Sequence, residues 1–264
     1  MPIPVALTIA GSDPSGGAGI QADLKTFHQF EVYGAAVVTL LTVQNTMRLD
    51  RVECVDPQLV REQIRAVIED LSPAAVKTGA LGTRAIVEAV AEEAAQFACP
   101  LVVDPVMISK HGLRLMAEDA RESMARRLAP LAFLLTPNIP EAAALTGIPI
   151  RTIGDMRRAA ECLAAMGARA VLIKGGHGEG AESVDLLVER TSLTRLAAQR
   201  IATQNTHGSG CTLSSAIAAG LAKGLDLVAA VREAKAFVSA AIAASARLDI
   251  GTGRGPVHHL HAWW

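Results

Sequence analysis

The chain has 264 residues, carries 25 lysines and arginines against 26 aspartates and glutamates, and is only 3% aromatic. A near-neutral chain with no long run of one charge and few rings lacks the basic face and stacking surface of a nucleic-acid binder. No apolar run reaches the roughly 18 residues that a membrane helix needs, and no basic segment precedes the short apolar run at the start, so neither a membrane span nor a signal peptide is expected and the chain reads as cytoplasmic.

Short apolar runs alternate with helical periods along the whole chain. Residues 5–10 read as a first strand, followed by a glycine-rich loop over 11–19 and a helix over 20–30. Residues 35–43 are almost continuously apolar, as in a strand buried on both faces. The segment Pro57–Leu71 places Leu59, Val60, Ile64, Val67, Ile68 and Leu71 on one helical stripe. Residues 74–78 are a predicted strand, 84–97 a helix, 101–103 a strand, 118–128 a helix and 133–135 a strand. A helix over 155–166 ends at Gly167, which can take the left-handed cap. A strand at 170–173 comes next, then an antiparallel pair at 184–189 and 196–202, and two alanine-rich helices over 210–223 and 227–246 close the chain. Strands alternating with helices imply a mostly parallel sheet covered on both faces. With no linker and no repeat, residues 1–264 form one α/β domain on this reading.

Ligands of an open parallel sheet bind beyond the carboxyl ends of its strands. The first strand is followed by Gly11 to Gly19, the strand at 101 by Asp104-Pro105-Val106-Met107, and the strand at 133 by Thr136-Pro137-Asn138-Ile139-Pro140-Glu141. Lys174-Gly175-Gly176-His177 follows the strand at 170, and Asn205-Thr206-His207-Gly208-Ser209-Gly210-Cys211 opens the penultimate helix. Acids, a lysine and glycines thus converge on one sheet edge, as a phosphate and Mg2+ site requires. Ordinary structural readings stand beside each piece. The first loop also suits a flexible strand-to-helix turn, and it is neither a P-loop nor a dinucleotide fingerprint. Asp104 before Pro105 can simply end a strand, and Asn138 with Glu141 three residues on fits a capping box. Lys174 is harder to explain structurally, because it ends an apolar run and the glycines after it admit a phosphate.

The segment Gly208-Ser209-Gly210-Cys211 is the most specific. Its successive backbone N–H groups and the positive end of the helix form an anion site. A thiol there is expected as thiolate, below its free value of about 8.5; the alternative is a buried structural cysteine. Cys54, Cys99 and Cys162 are too widely spaced for a metal or redox pair and read as small buried hydrophobes. The His258-His259-Leu260-His261 tract is expected at the surface, with Trp263 and Trp264 packing on the body or on a partner subunit.

Taken together, these segments resemble the hydroxymethylpyrimidine/phosphomethylpyrimidine kinases of thiamine biosynthesis, within the ribokinase-like superfamily. The resemblance covers nearly the whole chain and rests on residues 10–25, Gln44-Asn45-Thr46, and the segments beginning at Asp104, Thr136, Lys174 and Asn205. It implies a three-layer α/β/α ribokinase-like fold, ATP and Mg2+ with a monovalent cation such as K+ left open, a pyrimidine substrate and a homodimer. The reaction it implies is phosphorylation of 4-amino-5-hydroxymethyl-2-methylpyrimidine and then of its monophosphate. Carried over residue by residue, it makes Cys211 the base, with Gly208, Ser209 and Gly210 as the anion hole. Gln44, with Gly11 and Asp23, would read the pyrimidine, and Ala80 and Val106 would line its pocket. Lys174, Asn138, Thr206 and Asp104 would serve the nucleotide phosphates, and Glu141 with Asp104 the metal. Three departures from the family pattern bear on substrate preference: Ala80 replaces a larger side chain, Ser209 replaces threonine, and the 108–113 loop differs. The alternatives are a pyridoxal or pyridoxine kinase and a catalytically silent ligand sensor on the same fold.

Overall fold

The computed structural model describes residues 3–110, 112–177, 180–190 and 192–264. The strands are β1 (Val5–Ser12), β2 (Tyr33–Gln44), β3 (Leu49–Cys54), β4 (Ala75–Thr78), β5 (Leu101–Val103), β6 (Leu134–Leu135), β7 (Ala170–Ile173), β8 (Glu182–Glu189) and β9 (Ser192–Gln199). The helices are α1 (Gly19–Gln29), α2 (Pro57–Leu71), α3 (Arg84–Ala94), α4 (Glu118–Ser123), α5 (Ile139–Thr146), α6 (Ile153–Ala165), α7 (Ser209–Ala222) and α8 (Leu227–Ala244).

All nine strands join one sheet in the order β3-β2-β1-β4-β5-β6-β7-β8-β9. The pairs from β2 through β7 are parallel, whereas β3 on one edge and β8 and β9 on the other are antiparallel. One face carries α2 to α6 and the turn after α4, whose Ile64, Ile86, Val90, Met124 and Leu163 pack on Leu7, Val76 and Val103 of the strands. The other carries α1, α7 and α8 through Phe27, Leu213, Ile217 and Val231, against Ala6, Val102 and Leu134. The three-layer α/β/α arrangement that the resemblance implies is present. Because β1 lies between β2 and β4, the chain leaves β1 in one direction and resumes at β4 in the other, so the loops at their carboxyl ends part and open a crevice.

Several elements differ from the sequence reading. Strand β3 was not anticipated: Asp50, Arg51 and Glu53 are charged and exposed, as befits an edge strand whose outer side faces water. Helix α5 is too short for a clear period; it is fixed by its capping box, in which Asn138 Oδ1 accepts from Glu141 N at 2.9 Å and Glu141 Oε2 accepts from Asn138 N at 2.8 Å. The helix predicted over 118–128 is α-helical only to Ser123 and continues as a π-helical turn, Met124–Leu128. Strand β9 also begins and ends earlier than the predicted 196–202.

The carboxyl-terminal tract is a correction. His258 and His259 are buried rather than at the surface. His259 Nε2 lies 3.0 Å from Thr212 Oγ1 of α7, and burial pushes its pKa down to about 3. Trp263 and Trp264 are largely exposed, although Trp263 Nε1 donates to Gln29 Oε1 at 2.8 Å.

Candidate active site

A cavity of about 560 Å3 lies along the carboxyl edge of the sheet. It is built from the loop after β1, the turns after β4 to β7, and the start of α7. Asp13 folds the first loop: its Oδ1 accepts from Ser15 N and Ser15 Oγ at 2.9 and 2.7 Å, and its Oδ2 accepts from Ala18 N at 2.9 Å. The loop then presses against the start of α7. Gly208 caps that helix with φ of 76°, and a methyl group there would overlap the carbonyl oxygen of Gly17.

Gly208, Ser209, Gly210, Cys211 and Thr206 line the cavity at the α7 start. Asp104, Asn138, Glu141 and Lys174 line it from the strand ends, and Gly11, Gln44, Ala80 and Val106 from the β1–β2 side. Ser109 and Lys110 add to the wall, while His111 of the same loop lies outside the described residues. Ile201, Leu213, Val238 and Ile242 also line the cavity, beside the polar Asp185, Arg200, Lys235 and Ser239.

Asp23 does not line the cavity. Its carboxylate is wholly buried, taking hydrogen bonds from Thr8 Oγ1 (2.6 Å), Lys77 Nζ (2.7 Å) and Ser215 Oγ (2.6 Å), which leave it no freedom to read a substrate. A second pair lies beside it: Lys174 Nζ is 2.6 Å from Asp104 Oδ1, and Ser214 Oγ donates to Asp104 Oδ2 at 3.3 Å. Consecutive serines of α7 thus tether two lysine–aspartate pairs one turn below Gly210 and Cys211. Burial opposes the charge on both lysines, yet the neighbouring carboxylates hold both above the usual lysine range.

Cys211 departs from its expected ionisation. Burial pushes the thiol up to about 11; Lys77 pulls it down, but Asp23 and Asp104 add to the rise. The surroundings thus favour the neutral thiol over the expected thiolate. Glu141 is pushed up to about 7, chiefly by burial and then by Asp104, against the pull of Lys174. Its capping role and its place in the cavity coexist. Among the described residues no cluster of three or more His, Cys, Asp or Glu is arranged to hold a metal. Mg2+ commonly binds through one or two carboxylates plus substrate phosphates, and Asp104 with the buried Glu141 fits that pattern.

Residues the sequence reading passed over belong here too. Lys77 interrupts an apolar strand as Lys174 ends one, the same signal, and Ser214 and Ser215 carry no local signal at all. His207 and Asp13 stood inside recognised segments without a role. Their bond joins the first loop to the α7 start, with His207 Nε2 2.8 Å from Asp13 Oδ2.

Comparison with known proteins places this geometry. The family model for phosphomethylpyrimidine kinase matches residues 13–258. A hydroxymethylpyrimidine/phosphomethylpyrimidine kinase of Rhizobium meliloti is 51% identical over 261 residues, 98% of each chain. The crystal structure of phosphomethylpyrimidine kinase from Clostridium difficile is 44% identical and superposes with a TM-score of 0.81 over 90% of this chain and 99% of that one. The pyridoxal kinase of Staphylococcus aureus, solved with pyridoxal and separately with AMP-PCP, gives a TM-score of 0.91 at 35% and 34% identity, covering 100% of this chain and 96% of that one. Among the described residues no helix is long and apolar enough to cross a membrane.

Proposed function

The chain belongs to the phosphomethylpyrimidine kinase family, and from that membership we infer that it transfers a phosphoryl group from ATP to 4-amino-5-hydroxymethyl-2-methylpyrimidine and then to the resulting monophosphate, in thiamine biosynthesis. The observation that carries the reading is one cavity with a polar centre and two differing ends. An amide-rich helix start and Lys174 lie at the middle, Gln44 on one side, and Ile201, Val238 and Ile242 among polar neighbours on the other.

Each residue's part follows from its place. Gln44 reads the pyrimidine edge, with Ala80 and Val106 against the ring; Ala80 leaves more room than a larger side chain would. The side chains of Ile201, Val238 and Ile242 accept the adenine. The amides of Gly208 to Cys211, with Lys174, Asn138 and Thr206, receive the terminal phosphates, where the positive end of α7 favours negative charge. Asp104 and Glu141 would hold Mg2+, which when bound neutralises charge on the phosphate oxygens. Phosphoryl transfer passes through a loose transition state, so positioning and charge stabilisation do most of the work. Cys211 faces the attacking hydroxyl and takes its proton, and Asp23 with Lys77 supports it from beneath rather than touching substrate.

Mass analysis of the products from ATP, Mg2+ and the pyrimidine alcohol tests the assignment. One and then two added phosphates are expected. Consumption of ATP with an unmodified pyrimidine, or no reaction while pyridoxal is phosphorylated, would overturn it. The pyridoxal reading is not favoured, because relatives spanning nearly the full chain at 46–51% identity carry the pyrimidine name.

A further inference from the structure

We propose that the buried Asp13–His207 pair is a positioning device that locks the side-chain amide of Gln44 in one orientation, so that the site selects an aminopyrimidine edge over the edge of a hydroxypyridine aldehyde. The proposal rests on the substrate reading given above.

The argument is one of hydrogen-bond parity. Asp13 is 3% exposed and its carboxylate is surrounded by donors: Ser15 N and Oγ on Oδ1, and Ala18 N on Oδ2, with His207 Nε2 2.8 Å from Oδ2. Burial alone would raise its pKa, but the bonds from His207 and Ser15 more than offset this and hold it below the usual carboxylate range. An ionised carboxylate only accepts, so the hydrogen of that bond sits on His207 Nε2. The same nitrogen stands 3.1 Å from the Gln44 amide nitrogen. A ring N–H turned toward Asp13 has no lone pair left for a second donor, and N–H against N–H repels. The clash is relieved when the amide turns over, so that Oε1 shares the Nε2 hydrogen with Asp13 Oδ2 in a three-centre bond and the NH2 group aims at the cavity. The two ends of the amide are nearly isosteric, so a glutamine without such a neighbour reads either edge.

His207 is itself fixed. It is 5% exposed, and its backbone bonds to the segment at 255–257 from both its N–H and its carbonyl. With the amide locked, Gln44 offers the ligand a donor beside an oxygen that retains one lone pair. A ring nitrogen next to an exocyclic amine, an acceptor beside a donor, is the complement of that face. With the hydroxymethyl group held in the same place for transfer, an aldehyde followed by a hydroxyl presents the reverse order, an acceptor where the amine donates and a donor where the ring nitrogen accepts. Since pyridoxal kinases share this fold at 34–35% identity, the fold alone does not separate the two substrate classes, and a local device of this kind can.

Steady-state kinetics with the pyrimidine alcohol and with pyridoxal, on the full chain with ATP and Mg2+, provide the test. His207→Phe should raise KM for the pyrimidine about three- to tenfold, the range of a net hydrogen-bond contribution, while kcat stays within about twofold. Selectivity over pyridoxal should fall by the same factor, and His207→Gln, which can donate from the same side, should recover most of it. An unchanged KM, or an equal loss on both substrates, would overturn the proposal. Nitrogen-15 spectra of the His207 ring in the unaltered protein decide the matter even if the variants do not fold: a hydrogen on Nε2 is expected, and a bare Nε2 contradicts the lock. Failure of the substrate reading would show differently, as a wild-type chain that turns over neither pyrimidine whatever the His207 spectrum.

Discussion

Cys211 occupies the third position of α7, where two opposing effects act on its thiol. The helix terminus favours the thiolate by at most about 2 kcal/mol, roughly one and a half pKa units. Burial can raise an acid by several units, and here two carboxylates join it against one lysine and the Gly19 N–H. Burial wins, and the thiol stands at about 11. Only its ionised form accepts a proton, so kcat/KM, which reports the free enzyme, should climb with pH through 8, 9 and 10 without levelling. A plateau beginning near neutrality would contradict Cys211 as the base. Replacing it by alanine should lower kcat by about two to four orders of magnitude with the fold intact. Beneath it, Lys77 and Asp23 are wholly buried and satisfied by one another. Removing either partner strands a charge, so Lys77→Met and Asp23→Asn should each cost about 3–5 kcal/mol in urea unfolding. A loss under about 1 kcal/mol would mean that water reaches the pair.

At the scale of elements, the first loop and the α7 start meet backbone to backbone, and glycine alone permits it. Gly208→Ala should abolish turnover, because the added methyl meets the Gly17 carbonyl in a conformation that L-residues disfavour. Retention of more than about a tenth of wild-type activity would show that the contact is not needed. This level also shows what could be read in advance. Parallel strands flanked by helices announce themselves as apolar runs and 3.6-residue periods, and Pro57–Leu71, Leu101–Val103 and Ala170–Ile173 lie where the pattern put them. Strand β3 is charged because its outer face is wet, and α5 is short because its cap rather than its period defines it, so neither leaves a periodic signal. The site was legible as a set of segments following strands. What escaped was direction: Asp23 lies in the right segment but points into the core, and Ser214 and Ser215 matter only because helix geometry sets them one turn below Gly210 and Cys211.

For the whole molecule, the order of strands creates the crevice, and the antiparallel extensions at both edges frame it. The β2–β3 extension leaves Leu41, Val43 and Met47 more than half exposed. We propose that this face joins two copies of the chain. Light scattering should then give roughly twice 27.5 kDa, and Val43→Arg should halve it; a monomer at micromolar concentration would remove the homodimer. The account as a whole turns on where the transferable phosphate lies. A crystal structure with Mg2+ and a non-hydrolysable ATP analogue measures this directly. The terminal phosphate should sit within hydrogen-bonding distance of the amides of residues 208–211 and of Lys174, with the Cys211 sulfur facing it across the acceptor pocket. A nucleotide whose terminal phosphate lies away from that helix start would contradict the account.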